Sequence, residues 1–162
     1  MITIRPIRPE ELGQVGDLTA RVYVDAGFLT PESPYLTQLR DAARRARAAE
    51  LLVAVDGTGA VVGSVTYVVH GGDYAELAGP GEGEFRMLVV APEARKQGIG
   101  EALVRACLDR ARAAGCTAMR LSTQAEMTDA HRLYERVGFA RTPDLDWSPA
   151  PGVSLLAYAL SL

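Results

Sequence analysis

Apolar and polar residues alternate from Ile2 to Ile7, the period of a half-buried strand. Pro9-Glu10-Glu11 then places a proline and two acids where a helix begins. Leu12, Val15, Thr19, Val22, Tyr23 and Ala26 recur along one helical face, and Gly27 stops it. Ser33-Pro34 reads as an N-cap with proline at the first position of a second helix. Leu36, Leu39 and Ala43 give that helix its apolar face, and Arg40, Arg44, Arg45 and Arg47 are expected on its solvated face. Leu51–Val55 is a short apolar strand. Asp56-Gly57 signals a hairpin into the Val- and Tyr-rich run from Ala60 to His70. Gly71–Gly83 has the composition of a loop, and Glu84–Val90 that of a further strand.

In the second half, Glu101, Arg105 and Asp109 recur every four residues, which turns Ile99, Leu103 and Cys107 inward on a long helix from Gly98 to Ala114. Thr117–Ser122 follows as a strand, Thr128–Val137 as a helix stopped by Gly138, and Phe139-Ala140-Arg141 begins a strand. Thr142–Gly152 carries three prolines and reads as a loop, and Val153–Leu160 alternates as a last strand. This order predicts an α/β (α+β) domain over residues 1–162, with helices flanking a mixed, mostly antiparallel central sheet. The step from residue 84 to 122 is expected to be a right-handed parallel crossover.

Composition narrows the class. A chain of 162 residues, 48% hydrophobic and 23% charged, suits one globular core. A net charge of −3 argues against nucleic acid as the main partner, because phosphate binding needs a basic face. No apolar run is long enough to span a membrane, and Met1–Pro6 lacks the basic and apolar regions of a secretory leader, so a cytoplasmic protein is expected. Cys107 and Cys116 form no C-x-x-C and have no metal-ligand spacing, so no metal is expected. His70 reads as structural, and His131 as a surface residue.

Chemistry concentrates between Met87 and Gly100. A buried strand ends at Pro92, and a turn carrying Arg95, Lys96 and Gly98 opens directly into a helix at Ile99 and Gly100. Unpaired N–H groups and partial positive charge at a helix start suit an anion, and glycines let a phosphate approach the backbone. A pyrophosphate fits such a site. The turn is no P-loop, since no Lys-Ser follows the glycines, and no dinucleotide fingerprint, since Leu103 stands where the third glycine belongs.

Arg95-Lys96-Gln97-Gly98-Ile99-Gly100 resembles the R/Q-x-x-G-x-G/A signature of the GNAT N-acetyltransferase superfamily. Ala130-His131-Arg132-Leu133-Tyr134 through Gly138-Phe139 is similar to that family's second signature, A-x-x-L-Y-x-x-x-G-F, at the expected interval. The resemblance implies acetyl-CoA or a related acyl-CoA as donor and an amine as acceptor. It places the pyrophosphate on the backbone from Lys96 to Glu101, through Gln97, Gly98, Ile99 and Gly100, with Arg95 at the mouth. It pairs the pantetheine arm with Leu88, Val89 and Val90 like an added strand. It makes Tyr134 the acid beside the thiolate and Glu84 the base, directly or through water. A phenol near pKa 10 lies not far above a thiol of about 8.5.

Two departures from the family pattern stand out. Met127 occupies the place of a common pantetheine-binding Asn, leaving Gln124 or Thr128 as substitutes. Ser122 stands near a position where some peptide acetylases carry a catalytic Glu. By the same resemblance, Tyr23–Tyr35 and Pro143–Gly152 flank the acceptor, offering Phe28, Tyr35, Trp147, Asp25, Asp144 and Asp146, and a homodimer through the last strands is possible. Three functions stay open: N-acetylation of a small-molecule amine, acetylation of a protein lysine or N-terminus, and non-catalytic acyl-CoA sensing.

Overall fold

The computed structural model describes the whole chain, Met1–Leu162. Its elements are β1 (Thr3–Pro6), α1 (Leu12–Asp25), α2 (Tyr35–Arg40), α3 (Ala42–Ala48), β2 (Glu50–Val55), β3 (Val61–Val69), β4 (Glu82–Val90), α4 (Ile99–Ala113), β5 (Ala118–Gln124), α5 (Thr128–Val137), β6 (Ala140–Arg141), β7 (Trp147–Ala150) and β8 (Val153–Ser161). The strands form one sheet in the order β1-β2-β3-β4-β5-β8-β6, with β7 paired to β8. Every ladder is antiparallel except β4 with β5, the expected parallel step.

Residues Val61 to Val68 of β3 are all buried, so both faces of the sheet are covered there. A Cβ on Gly63 would lie 3.1 Å from the side chains of Ile99 and Leu103, which brings α4 close on one face. Helix α1 packs on β3 and β4 from the other side. Leu52, Val53, Val65, Leu103, Met119 and Leu121 lie at the centre with almost no exposure.

The single helix expected after Ser33 is two. It breaks at Asp41, whose Oδ1 accepts the N–H of Arg44 and so starts α3 afresh. The break turns Ala42 and Arg45 inward instead of Ala43. Arg45 is therefore not on a solvated face: it is 1% exposed, and its Nη1 donates to the carbonyls of Gln38 and Leu39 at the end of α2. Ahead of α2, Pro34 already has helical backbone, and the Ser33 Oγ accepts the N–H of Tyr35, the bond expected of a cap. The hairpin after β2 is organised by the Asp56 carboxylate, which accepts from Thr58 and Ala60, and Gly59 takes the positive φ. Within the expected loop 142–152, Trp147–Ala150 is a strand, because it folds back on β8 as a hairpin.

Candidate active site

Strand β4 changes character halfway along. Glu82 to Phe85 pair in parallel with Ala118 to Leu121 of β5, and the ladder ends there. Between Arg86 and Val89 the strand carries one residue more than β3 opposite, and Met87 adopts φ 58°, which a non-glycine residue rarely holds. This bulge bends β4 away from β5. Arg86 to Val90 consequently have no strand partner on the β5 side, and a cleft opens between Phe85, Leu88, Ser122, Gln124, Met127 and Tyr134. Leu88, Val89 and Val90, the residues expected to pair with an extended amide chain, lie on that unpaired edge.

Strand β4 ends at Val90, and the turn that follows leads to the start of α4. Lys96 and Gly98 both have positive φ, at 64° and 75°, and no side chain caps the helix. The N–H groups of Ile99, Gly100 and Glu101 are left without intrahelical partners, and Arg95, Lys96 and Gln97 are exposed beside them. Gly100 matters for another reason: a Cβ there would lie 3.3 Å from Leu133 of α5. The Glu101 side chain is held by Arg105 and Arg136, which keep its carboxyl below the usual range, so its contribution to an anion is its backbone N–H.

Tyr134 enters the cleft from α5, 3% exposed, its ring against Phe85, Phe139 and Tyr158 at 5.9 to 6.1 Å. Burial pushes its phenol well above the ordinary value, and no hydrogen bond offsets this. The hydroxyl therefore keeps its proton at neutral pH. It is better suited to donating a hydrogen bond than to giving the proton up fully.

Glu84 points to the opposite face of β4. It is fully buried, and its Oε1 accepts the N–H groups of Glu76, Leu77 and Ala78 at 2.8 to 3.0 Å. Its Oε2 has no partner. Burial raises its pKa, while the three N–H bonds and nearby Arg86 pull the other way. Glu84 thus anchors the loop between β3 and β4. Glu82, on the same face, is spent on Arg120 and the N–H of Gly79.

The residue that sequence reasoning passed over is Arg86. It is 5% exposed and lies between the cleft and a recess of about 290 Å³ lined by Gln38, Asp41, Arg44, Asp73, Tyr74 and Glu76. The Trp147 ring lies 5.0 Å from its guanidinium, and its nitrogens reach the Tyr35 hydroxyl and the Tyr74 carbonyl at 3.4 Å. Trp147 is itself fixed by donating to Ser122 at 2.8 Å. One signal was available: Arg86 is the only charge within the apolar run from Phe85 to Val90. Of the other expected acceptor residues, Tyr35 and Trp147 reach this place. Phe28 packs on Tyr23, Asp146 is tied to Arg141 and the N–H of Ala157, and Asp25 and Asp144 are exposed. Gln124 lines the cleft and donates to the Phe28 carbonyl, leaving its Oε1 free, while the Met127 sulfur meets Thr123. His131 is partly buried rather than on the surface, because its Nε2 bonds the Gln124 carbonyl and its ring meets Tyr158. His70 bonds the Ala78 carbonyl.

A parallel strand pair that splays at a bulge, beside an uncapped helix start and the Tyr134 phenol, leaves a cleft along one open strand edge. Residues 17–139 match the acetyltransferase (GNAT) family, and the chain belongs to it. A mycothiol acetyltransferase of Cellulomonas flavigena is 37% identical over 150 residues, 88% of this chain; the chain spans 42% of that relative's length. Among solved structures, a GNAT-family acetyltransferase from Staphylococcus aureus superposes with a TM-score of 0.81 at 13% identity, covering 100% of this chain and 99% of that one. A Salmonella typhimurium acetyltransferase with its cofactor acetyl-CoA has a TM-score of 0.68 at 19% identity, covering 100% and 94%. No helix is long and apolar enough to cross a membrane.

Proposed function

We propose that this chain transfers an acetyl group from acetyl-CoA to a primary amine of a small molecule, by direct attack with both substrates held together. The observation that carries this reading is the cleft itself. The unpaired edge of β4 runs from the uncapped start of α4 to the Tyr134 hydroxyl, and the acceptor recess opens on the other side of the same strand. Family membership, relatives named for acetyl transfer and the acetyl-CoA-bound structural neighbour support the choice of donor.

In this reading the backbone N–H groups from Lys96 to Glu101 and the Arg95 side chain hold the pyrophosphate. Leu88, Val89 and Val90 bond the pantetheine amides, and a β4 N–H polarises the thioester carbonyl. The hydroxyl of Tyr134 donates to the departing thiolate. The free Oε2 of Glu84 takes the amine proton through a water, and holding the two reactants side by side removes the need for a covalent enzyme intermediate. The recess beside Arg86 is lined by Gln38, Asp41, Arg44, Asp73, Tyr74 and Glu76, and its volume of about 290 Å³ suits a small molecule better than a protein segment.

The test is CoA thiol release from acetyl-, propionyl- and succinyl-CoA against a panel of small amines, amino acids and peptides. Turnover on small amines with acetyl-CoA is expected. Tight donor binding with no release on any acceptor would sink the catalytic reading in favour of a sensor.

A further inference from the structure

Arg86 is a buried cation without a counter-ion. Its side chain forms no ion pair, although nine other pairs occur in the fold. Its two protein contacts are both long, at 3.4 Å, and both are to neutral oxygens. Glu84, two residues away on the same face, does not neutralise it by contact, because its bonded oxygen is given to the loop N–H groups. A desolvated, unpaired guanidinium is costly, and truncating its surroundings or pairing it would be the ordinary remedy. Here the Trp147 ring lies over the guanidinium and leaves other N–H groups to be matched by a ligand. A planar fork of that kind recognises a two-oxygen anion.

We propose that the acceptor carries an oxyanion, a carboxylate or phosphonate close to its amine, and that Arg86 binds it. The amine then lies on the cleft side, within reach of the acyl carbon, and the rest of the molecule extends into the recess past Asp73 and Glu76, where Arg44 supplies a second cation. This deepens the acetyltransferase reading and rests on it for the word acceptor; the anion site itself stands on Arg86 alone.

The experiment has two arms. In the first, protein saturated with CoA is titrated calorimetrically with L-alanine, L-serine, L-glutamine, the carboxamide of each, and 1-aminoethylphosphonic acid. At least one acid is expected to bind about 100-fold more tightly than its amide, and Arg86→Gln should bring that ratio close to one. Arg86→Lys, which keeps the charge but loses the fork, should retain part of it and serves if the Gln variant does not fold. Alanine against its phosphonate decides which oxyanion is preferred. Equal binding of acids and amides, or no binding by any acid, overturns the proposal. In the second arm, CoA release from acetyl-CoA is measured with the same compounds. Release from amides as fast as from acids also overturns it. Acid binding that depends on Arg86, with no release from any compound, leaves the anion site standing and defeats the acetyltransferase reading instead.

Discussion

Replacing Glu84 separates the two tasks assigned to it, holding the β3–β4 loop and taking a proton. Its Oε1 receives three N–H bonds, from Glu76, Leu77 and Ala78. Counted singly, bonds to a charged acceptor would each contribute about 1.5–3 kcal/mol. The raised pKa of Glu84 shows that desolvation outweighs them for the charged form, so the sum overstates the anchor. In Glu84→Ala the N–H groups of Glu76 and Leu77 can turn to water, since those residues are not buried, but that of buried Ala78 cannot. One stranded N–H and a small cavity give about 2–3 kcal/mol. That lowers Tm by about 5–10 °C for a chain of this size. Glu84→Gln keeps an acceptor oxygen and should lose about 1 kcal/mol.

Hydrogen exchange supplies the local readout: amide protection at residues 76 to 78 should vanish in the Ala variant and persist in Gln. For the chemistry, a base with a raised pKa puts the acid limb of the kcat/KM profile above the usual carboxylate range. Glu84→Gln should erase that limb and lower kcat. Because the folded pKa lies above the unfolded one, the stability of wild type relative to Gln is greatest at low pH and shrinks as pH rises through the folded value. Unchanged protection at 76 to 78 together with a Tm shift below about 1 °C in Glu84→Ala would refute the anchor argument. An unaltered acid limb in Glu84→Gln would dismiss the base.

Three other substitutions test the remaining geometry. Tyr134→Phe removes a hydroxyl that has no partner in the protein, so Tm should hold while kcat falls about ten-fold or more and CoA affinity stays near wild type; unchanged turnover removes Tyr134 from the reaction. Gly98→Ala meets open space, so its cost is only the left-handed backbone, about 1–2 kcal/mol. It should raise the KM for acetyl-CoA more than it lowers kcat, read from steady-state kinetics. Gly16→Ala drives a Cβ into the Arg40 carbonyl, where backbone must move. It should cost about 2–3 kcal/mol in urea unfolding by pushing α1 off α2.

Elements whose residues repeat with a clear period were legible in the sequence. Thr128–Val137 was readable to the residue, because its start and its Gly138 stop are both explicit in the chain. The turn into α4 was readable for the same reason, since Gly98 stands where the chain takes a positive φ. What was hidden depended on contacts between distant segments. The break at Asp41 is invisible to periodicity, because Leu36, Leu39 and Ala43 keep a helical spacing across it although Ala42 and Arg45 are the residues that turn inward. β7 exists because it folds back on β8, and its Trp147 is fixed by Ser122, a partner 25 residues away. Nor does the sequence show that Glu84 serves a loop, because its three donors are backbone groups that any residues would supply.

The bulge at Met87 ties these parts together. Before it, strict alternation sends Phe85 to the face of Tyr134 and sends Glu84 and Arg86 to the face of the recess. Had β4 continued flat, its remaining N–H and carbonyl groups would have paired with β5, and the two faces would have stayed sealed from each other. The extra residue ends that pairing one position after Phe85, so the unpaired edge begins where the side chains have already been sorted. In the proposed reaction one strand would then meet two substrates: backbone groups after the bulge would serve a donor arriving along the edge, and side chains before it would serve an acceptor arriving from the other face. The strained φ of Met87 is the local cost of that arrangement, about 1 kcal/mol or more, held in place by a side chain that is only 5% exposed.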